Sequence, residues 1–245
     1  MKRIVLLFFV LIASLSAGWS QARCKEEAKK LLDLQNRIVT QSFERLPVGA
    51  WARYNDGTVA LYLGKGQTPD GELYGIEFSG SKMPVAQVWY AIVDKHFQTP
   101  IGPVTMRTLD PRLLYVRGGP GGGVMRIDGP ILQMALARMQ PLSVILTPAS
   151  IDKTLDCSHE TEVLPVTGYR LDGRQIINGA KIIDHTTGGS IIVSTEVPFG
   201  LVGDPSGTPH LVAYGHGGLV PQIDEWARHS AKAMPPIPYL PAGMP

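Results

Sequence analysis

Apolar and polar residues follow two different patterns along the chain, and the change comes near residue 47. Before it, residues 26–38 carry three leucines and one alanine among charges at the three- and four-residue spacing of an amphipathic helix. After it, short alternating and aromatic runs are separated by turn sequences such as Asn55-Asp56-Gly57. The pattern therefore predicts one helix followed by an antiparallel meander.

The predicted strands fall into two groups on either side of a segment that is harder to interpret. Their ranges are 50–54, 58–63, 72–78, 85–93, 161–169, 175–184, 189–195 and 211–214. Between the groups, a glycine-rich stretch at 117–123 precedes Asp128-Gly129-Pro130, which predicts the start of a second helix over 131–139. We expect a mainly β fold in which residues 121–139 form a movable cover.

The predicted strand at 85–93 is unusual because both of its alternating faces are apolar. Val85, Trp89, Ala91 and Val93 share one face with Gln87, and Ala86, Val88, Tyr90 and Ile92 share the other. An antiparallel strand with one wet face alternates instead. We expect a helix to cover one face, and either a filled core or a ligand cavity to cover the other.

The N-terminus has the three-part layout of a secretory signal peptide. Lys2 and Arg3 are followed by an apolar run over residues 4–17, and Ser20 and Ala22 supply small residues for a cleavage site. The 14-residue run is shorter than the roughly 20 residues of a transmembrane helix, so we do not expect an integral membrane protein. The mature chain should start at Arg23 or Gly18 and reside in the periplasm.

These boundaries divide the chain into a signal peptide at 1–22, one β-rich domain at 23–233 and a proline-rich flexible tail at 234–245. Losing Lys2 and Arg3 leaves 21 basic against 21 acidic residues. This balance gives no electrostatic reason to expect nucleic acid as a partner.

Two cysteines, Cys24 and Cys157, remain after export. An even count in an oxidising compartment predicts a disulfide between them. The alternative, a lipid on Cys24, requires a small residue directly before the cysteine, and Arg23 holds that place. Neither cysteine lies in a motif that pairs it with a base, so a thiol nucleophile is not expected.

No catalytic or metal motif of high specificity is present. The six histidines lack close ligand spacing, and the acids beside them, Glu160 and Asp184, are sequence neighbours whose side chains tend to point apart on a strand. The stretch at 117–123 lacks the Gly-Lys-Ser/Thr end of a phosphate-binding loop. We therefore expect no enzyme, no metal site and no cofactor.

Short motifs resemble a group of uncharacterised exported bacterial proteins that are built like the lipoprotein carriers LolA and LolB. The string Pro47-Val-Gly-Ala-Trp-Ala-Arg-Tyr54 is similar to their opening, and Ser194-Thr-Glu-Val-Pro-Phe-Gly200 is similar to their late hairpin. For the carriers, the resemblance implies an incomplete antiparallel barrel or strongly curved sheet, closed on one side by helices. It also implies an apolar cavity that shelters acyl chains, and it brings no catalytic residues.

Two classes of function follow from these observations. The first is a soluble periplasmic protein that binds an apolar ligand, such as a lipid or a lipoprotein acyl chain. Its candidate lining residues are Trp51, Tyr54, Val85, Trp89, Ala91, Val93, Met134 and Leu136. The second is an interaction module with a filled core that docks on another cell-envelope protein through its N-terminal helix or its tail.

Overall fold

The computed structural model describes residues 2–68, 71–81, 83–119, 122–138, 154–171, 175–203 and 209–234, with no side chains for 2–20 and 137–138. The predicted tail beyond Met234 lies outside the described residues, as do Gly121 and Met139 at the ends of the predicted cover. The chain is mainly β with an N-terminal helix and two sheets, which confirms the predicted fold class. Over the described residues the strands do not close into a barrel.

Helix α1 spans Lys2–Val39 and continues into a π-helical turn at Thr40–Glu44. The helix predicted over 26–38 lies within it. Its apolar stripe is buried: Ala28, Leu31 and Leu34 are at most 5% exposed. In the π-helical turn, the ring of Phe43 meets Phe199 edge-on at 5.8 Å between ring centres.

The larger sheet has eight strands in the order β11-β1-β2-β3-β4-β5-β6-β12. Neighbouring strands are antiparallel except for the parallel pair β6 and β12. The bounds are β1 Ala50–Tyr54, β2 Val59–Thr68, β3 Gly71–Gly80, β4 Met83–Thr99, β5 Gly102–Arg117, β6 Val124–Ile127, β11 Leu211–His216 and β12 Lys232–Ala233.

The smaller sheet has four antiparallel strands in the order β10-β9-β8-β7. Its strands are β7 Thr161–Leu171, β8 Gln175–Asp184, β9 Gly189–Val193 and β10 Leu201–Gly203. A bridge between Gly203 and His210, at the start of β11, joins the two sheets. The sheets therefore continue into one another at this point.

The region around residues 117–138 differs from the predicted cover. Strands β5 and β6 pair directly on either side of the glycine-rich stretch, and the backbone N–H of Gly118 donates to the carbonyl of Gly123 at 3.3 Å. Val124–Ile127 is a sheet strand, so it is not part of a cover. Only helix α2, Gly129–Arg138, lies over the sheet, and Leu132 anchors it in the main core.

Turn chemistry places the first hairpin where the sequence predicts it. The side chain of Asp56 accepts a hydrogen bond from the Thr58 backbone N–H at 2.8 Å, and the N–H of Gly57 donates to the Tyr54 carbonyl at 3.0 Å. Gly57 has a φ of 86°, which glycine adopts without steric cost. This turn fixes which residues of β1 and β2 share a face.

Helix α1 supplies polar partners to parts of two strands that have no strand beside them on one side. The side-chain amide of Asn36 donates to the Thr105 carbonyl at 3.5 Å and accepts from the Arg107 backbone N–H at 2.8 Å. These are the two hydrogen bonds that a neighbouring strand would make with β5. On β7, the Val163 N–H donates to the carboxylate of buried Glu27 at 2.7 Å. The helix therefore satisfies backbone groups of both sheets that have no partner strand.

A disulfide between Cys24 and Cys157 fixes helix α1 to the segment before β7, as predicted. The Cα atoms of the two residues lie 5.9 Å apart, and the bond links positions 133 residues apart in the chain. An ion pair between Arg23 and Glu162, 3.2 Å apart, lies beside it. Covalent and polar contacts thus hold this part of the helix against the smaller sheet.

Residues of β1–β5 divide between two faces of the larger sheet. The inner face, which we define as the one in contact with helix α1, carries Ala52, Ile76, Phe78, Val88 and Tyr90 in the main core. The opposite face is called the outer face below. Its side chains form a separate apolar cluster.

Replacing Cys24 and Cys157 together by serine should lower the free energy of unfolding. A bond that closes a loop of this length reduces the entropy of the unfolded chain, which corresponds to about 4 to 5 kcal/mol in the chain-entropy model. Urea denaturation of the oxidised protein and of the double variant measures the difference. Equal midpoints and slopes for the two proteins would show that the bond does not contribute to stability.

Candidate ligand-binding groove

The outer face of the larger sheet is apolar at its centre. Leu73, Trp89 and Leu113 are buried there and form a cluster on neighbouring strands, with Leu63, Ala91 and Tyr115 packed against it. A sheet face in contact with water would carry polar residues at these positions. The outer face therefore requires a cover of its own.

The indole ring of Trp89 packs directly against the backbone of two glycines, Gly66 and Gly75. A Cβ on Gly75 would stand 2.9 Å from the six-membered part of the indole, and a Cβ on Gly66 would come closer still. Any larger residue at either position would therefore displace the ring. The two glycines allow Trp89 to reach 5% exposure although it is on the side away from the main core.

A C-terminal strap, residues 219–230, covers part of the outer face and ends in the short helix α3, Glu225–His229. The carboxylate of Glu77, which is 2% exposed, accepts from the backbone N–H groups of Gln222 and Ile223 at 2.8 and 2.9 Å. The amide of Gln87 donates to Glu77 at 2.9 Å and to the Ile223 carbonyl at 2.5 Å. Glu77 and Gln87 are opposite each other in the β3–β4 register. Together they hold the strap to the sheet.

Arg228 extends this network onto Trp89. Its Nη1 donates to the side-chain oxygen of Gln87 at 3.3 Å, and its guanidinium lies 5.2 Å from the centre of the Trp89 ring. This is the geometry of a cation–π contact. The indole N–H of Trp89 is itself buried and has no hydrogen-bond partner among the described residues.

Between the strap and strands β2, β4 and β5 remains an open groove of about 650 Å³, which we call the outer groove. Leu61, Leu63, Trp89, Leu113 and Tyr115 contribute the apolar side of its lining. Lys65, Asp224, Glu225, Arg228 and His229 supply the charged and titratable groups. The pKa of Lys65 is raised, chiefly because its ammonium group is hydrogen-bonded to Glu72.

Large apolar side chains remain exposed around the outer groove. Val48 and Val220 line it and are 64% and 82% exposed. Trp226, on helix α3, is 77% exposed. Apolar groups clustered in this way are typical of surfaces that bind other molecules.

A second cavity, of about 520 Å³, lies at the disulfide and is lined by polar groups such as Thr161, Glu160 and His185. His159 donates from Nδ1 to the carboxylate of Asp184 at 2.7 Å. Burial acts to raise the pKa of Asp184, but hydrogen bonds from His159, Thr187 and Thr186 outweigh it and lower the pKa to about 2. His185 bonds to Glu162 of β7 at 3.0 Å and not to its sequence neighbour Asp184, so Asp184 and Glu162 each pair with a histidine that is distant in sequence.

The structure does not bring the predicted lining residues together in one cavity. Tyr54 is fully buried in the main core, where burial raises its pKa, and Leu136 packs against that core from α2. Met134 is 54% exposed on the same helix. These three residues therefore lie apart from the outer groove.

The other five predicted residues follow the alternation of their strands. Trp51 is half-buried, and its indole N–H donates to the Gly217 carbonyl at 3.0 Å. Val85, Ala91 and Val93 are half-buried on β4 and alternate with the buried inner-face residues. Trp89 is the one predicted residue that lines the outer groove. It lies on the outer face, away from helix α1, whereas Val88 and Tyr90 enter the main core.

The residues that build the strap contacts were not predicted as site residues. Gln87 is a polar residue inside an apolar strand, and that exception is the signal for it. Glu77 is likewise flanked by Ile76 and Phe78, and both polar residues are directed to the outer face. Arg228, far along the sequence, carries no comparable signal.

In the described part of the chain, no three His, Cys, Asp or Glu side chains are grouped so that they could hold a metal ion. Nor does any helix in that part combine the length and apolarity needed to cross a membrane. Comparisons with protein-family models, curated proteins and solved structures gave no match.

Glu77→Gln should loosen the strap, because an amide cannot accept hydrogen bonds on both of its polar atoms. A buried N–H left without an acceptor costs about 1 to 3 kcal/mol. Limited trypsin digestion should therefore cleave after Arg228 faster in this variant than in the unmodified protein. Glu72→Gln, on the exposed part of the same strand, is the matched control. Equal cleavage rates for the two variants would contradict the role assigned to Glu77.

Proposed function

We propose that this chain is an exported, periplasmic, non-catalytic protein that binds an apolar ligand, such as a lipid or a lipoprotein acyl chain, in the outer groove. The observation that carries the proposal is the partly covered apolar sheet face around Trp89. Its volume of about 650 Å³ is within the range of about 300 to 1,000 Å³ that is usual for small-ligand sites. The strap forms one wall of a groove that exists before any ligand binds.

The inner side of the sheet offers less room for a ligand. Leu31 and Phe43 from the helical segment and Ile76 and Phe78 from β3 are at most 2% exposed in one continuous core. Acyl chains in that space would have to displace packed side chains. The outer groove requires no such displacement, and this difference favours it over the internal cavity that the carrier resemblance implies.

Export is supported by the tripartite N-terminus and by the disulfide, which is the form that cysteines take in an oxidising compartment. Cleavage after Ala22 would leave Cys24 and the buried stripe of helix α1 in the mature protein. N-terminal sequencing of protein recovered from the periplasm tests this assignment, since an intact Met1 would contradict it.

A second candidate function is docking on another cell-envelope protein through the same region. The exposed side chains Val220 and Trp226 favour it, since aromatic residues are enriched at protein interfaces. In that case the outer groove would hold a partner side chain and would show no affinity for isolated acyl chains.

A fluorescent 12-carbon fatty acid should bind the protein saturably. Trp89→Ala should weaken binding by about tenfold or more, because most of an aromatic contact surface is lost. Leu63→Trp should also weaken it, by filling the groove without removing a buried residue. Trp51→Ala is the control, because Trp51 does not line the groove.

Two outcomes would contradict this proposal. The first is the absence of saturable binding by protein whose circular dichroism shows a native fold. The second is an equal loss of affinity in the Trp51 and Trp89 variants, which would place the ligand elsewhere.

A further inference from the structure

Trp89 carries a hydrogen-bond donor that the fold leaves unused. Its Nε1 is buried and has no acceptor among the described residues, although the side chain is 5% exposed and lines the outer groove. Buried indole N–H groups are usually paired with an acceptor. Trp89 lines the outer groove, so a ligand that shifts the indole ring or the strap slightly on entering can supply the acceptor.

Arg228 provides further donors in contact with the same ring. A guanidinium has five N–H groups, and the described residues show one hydrogen bond from it, to Gln87. The guanidinium carbon lies 5.2 Å from the centre of the Trp89 ring, so the two donor-bearing groups are neighbours. Such a set matches the oxygens of a carboxylate or a phosphate, which arginine binds with two parallel hydrogen bonds.

Apart from Arg228, the charged groups of the outer groove either have partners within the protein or are exposed to solvent. Asp224 accepts from the Ala227 N–H at 2.7 Å and so caps helix α3, while Glu225 and His229 are exposed on that helix. Lys65 pairs with Glu72 at 3.0 Å. The carboxylates of Asp224 and Glu225 balance the charges of Lys65 and Arg228, so recognition here depends on directed donors and not on net charge.

We propose that the outer groove takes an acyl chain with an anionic head group, and that Arg228 and Trp89 Nε1 bind the oxygens of that head group. This inference rests on the proposed function and narrows it to one class of ligand. The aliphatic lining from Leu63 and Leu113 accommodates the chain. A chain without an acceptor in its head group would leave the indole N–H unpaired. A chain with a cationic head group would be repelled by the guanidinium.

A matched set of 12-carbon probes tests the head group. Dodecanoate, dodecyl phosphate, dodecanol and dodecyltrimethylammonium share one chain and differ in charge. Isothermal titration of the disulfide-bonded full chain, below the concentration at which each probe forms micelles, gives their affinities. The two anions should bind at least about tenfold more tightly than dodecanol, as charge-assisted hydrogen bonds are roughly twice as strong as neutral ones. The tighter of the two identifies carboxylate or phosphate as the head group.

Variants of Arg228 and Trp89 test whether these two donors cause the preference for anionic probes. In the Arg228→Gln variant, the affinities for the two anions should fall close to the affinity of the same variant for dodecanol. Arg228→Lys keeps the charge but not the planar fork, so it should restore part of the preference. Trp89→Phe should reduce the preference several-fold, because it removes one of the donors. Trp51→Phe should have no effect.

The outcomes separate this inference from the function on which it rests. Equal affinity for dodecanol and both anions would overturn the head-group assignment while the groove still binds apolar chains. A preference for anions that survives Arg228→Gln would overturn the role of Arg228. No binding of any probe by folded protein would contradict the proposed function itself.

Discussion

Burial of both faces of strand β4 is the constraint on which the rest of this structure depends. Its inner face carries Val88 and Tyr90, and its outer face carries Trp89. Hydrophobic surface exposed on either face would oppose folding. The chain therefore covers its central sheet twice, with helix α1 on one side and the C-terminal strap on the other.

The two covers differ in how they are attached, and this difference bears on function. Helix α1 is fixed by a disulfide and by the hydrogen bonds of Asn36 and Glu27 to strands β5 and β7. The strap depends on Glu77 and Gln87, and it leaves the outer groove beside them. An attachment of a few hydrogen bonds opens more readily than a covalent one. The side of the sheet with the lighter cover is thus better suited to a ligand that enters and leaves.

Much of the fold could be predicted from the sequence, because alternation and turn residues act locally. Strands β1 and β8 have the predicted bounds, and the predicted disulfide is present. Strand β5 was missed because Pro103 and Pro111 argue against a strand. The structure tolerates them: Pro111 lies at a register shift opposite Tyr90, and the edge of β5 near Asn36 pairs with a helix side chain instead of a strand.

The site was harder to predict because alternation identifies two faces but not which of them meets the helix. The sequence identifies Trp89 as a candidate lining residue without showing which of the two covers it meets. Its true position depends on Gly66 and Gly75, and its partner Arg228 is distant in sequence. Contacts of this kind arise from tertiary packing and leave no local pattern.

The most direct test of this account is to locate a bound acyl chain relative to the two faces of the sheet. Paramagnetic broadening of the protein's NMR signals by a spin-labelled fatty acid reports that location. The account predicts stronger broadening at the Trp89 indole N–H and at the methyl groups of Leu63 and Leu113 than at those of Ile76 and Leu109 in the main core. Stronger broadening at Ile76 and Leu109 than at the Trp89 indole would place the ligand between helix and sheet and contradict the account.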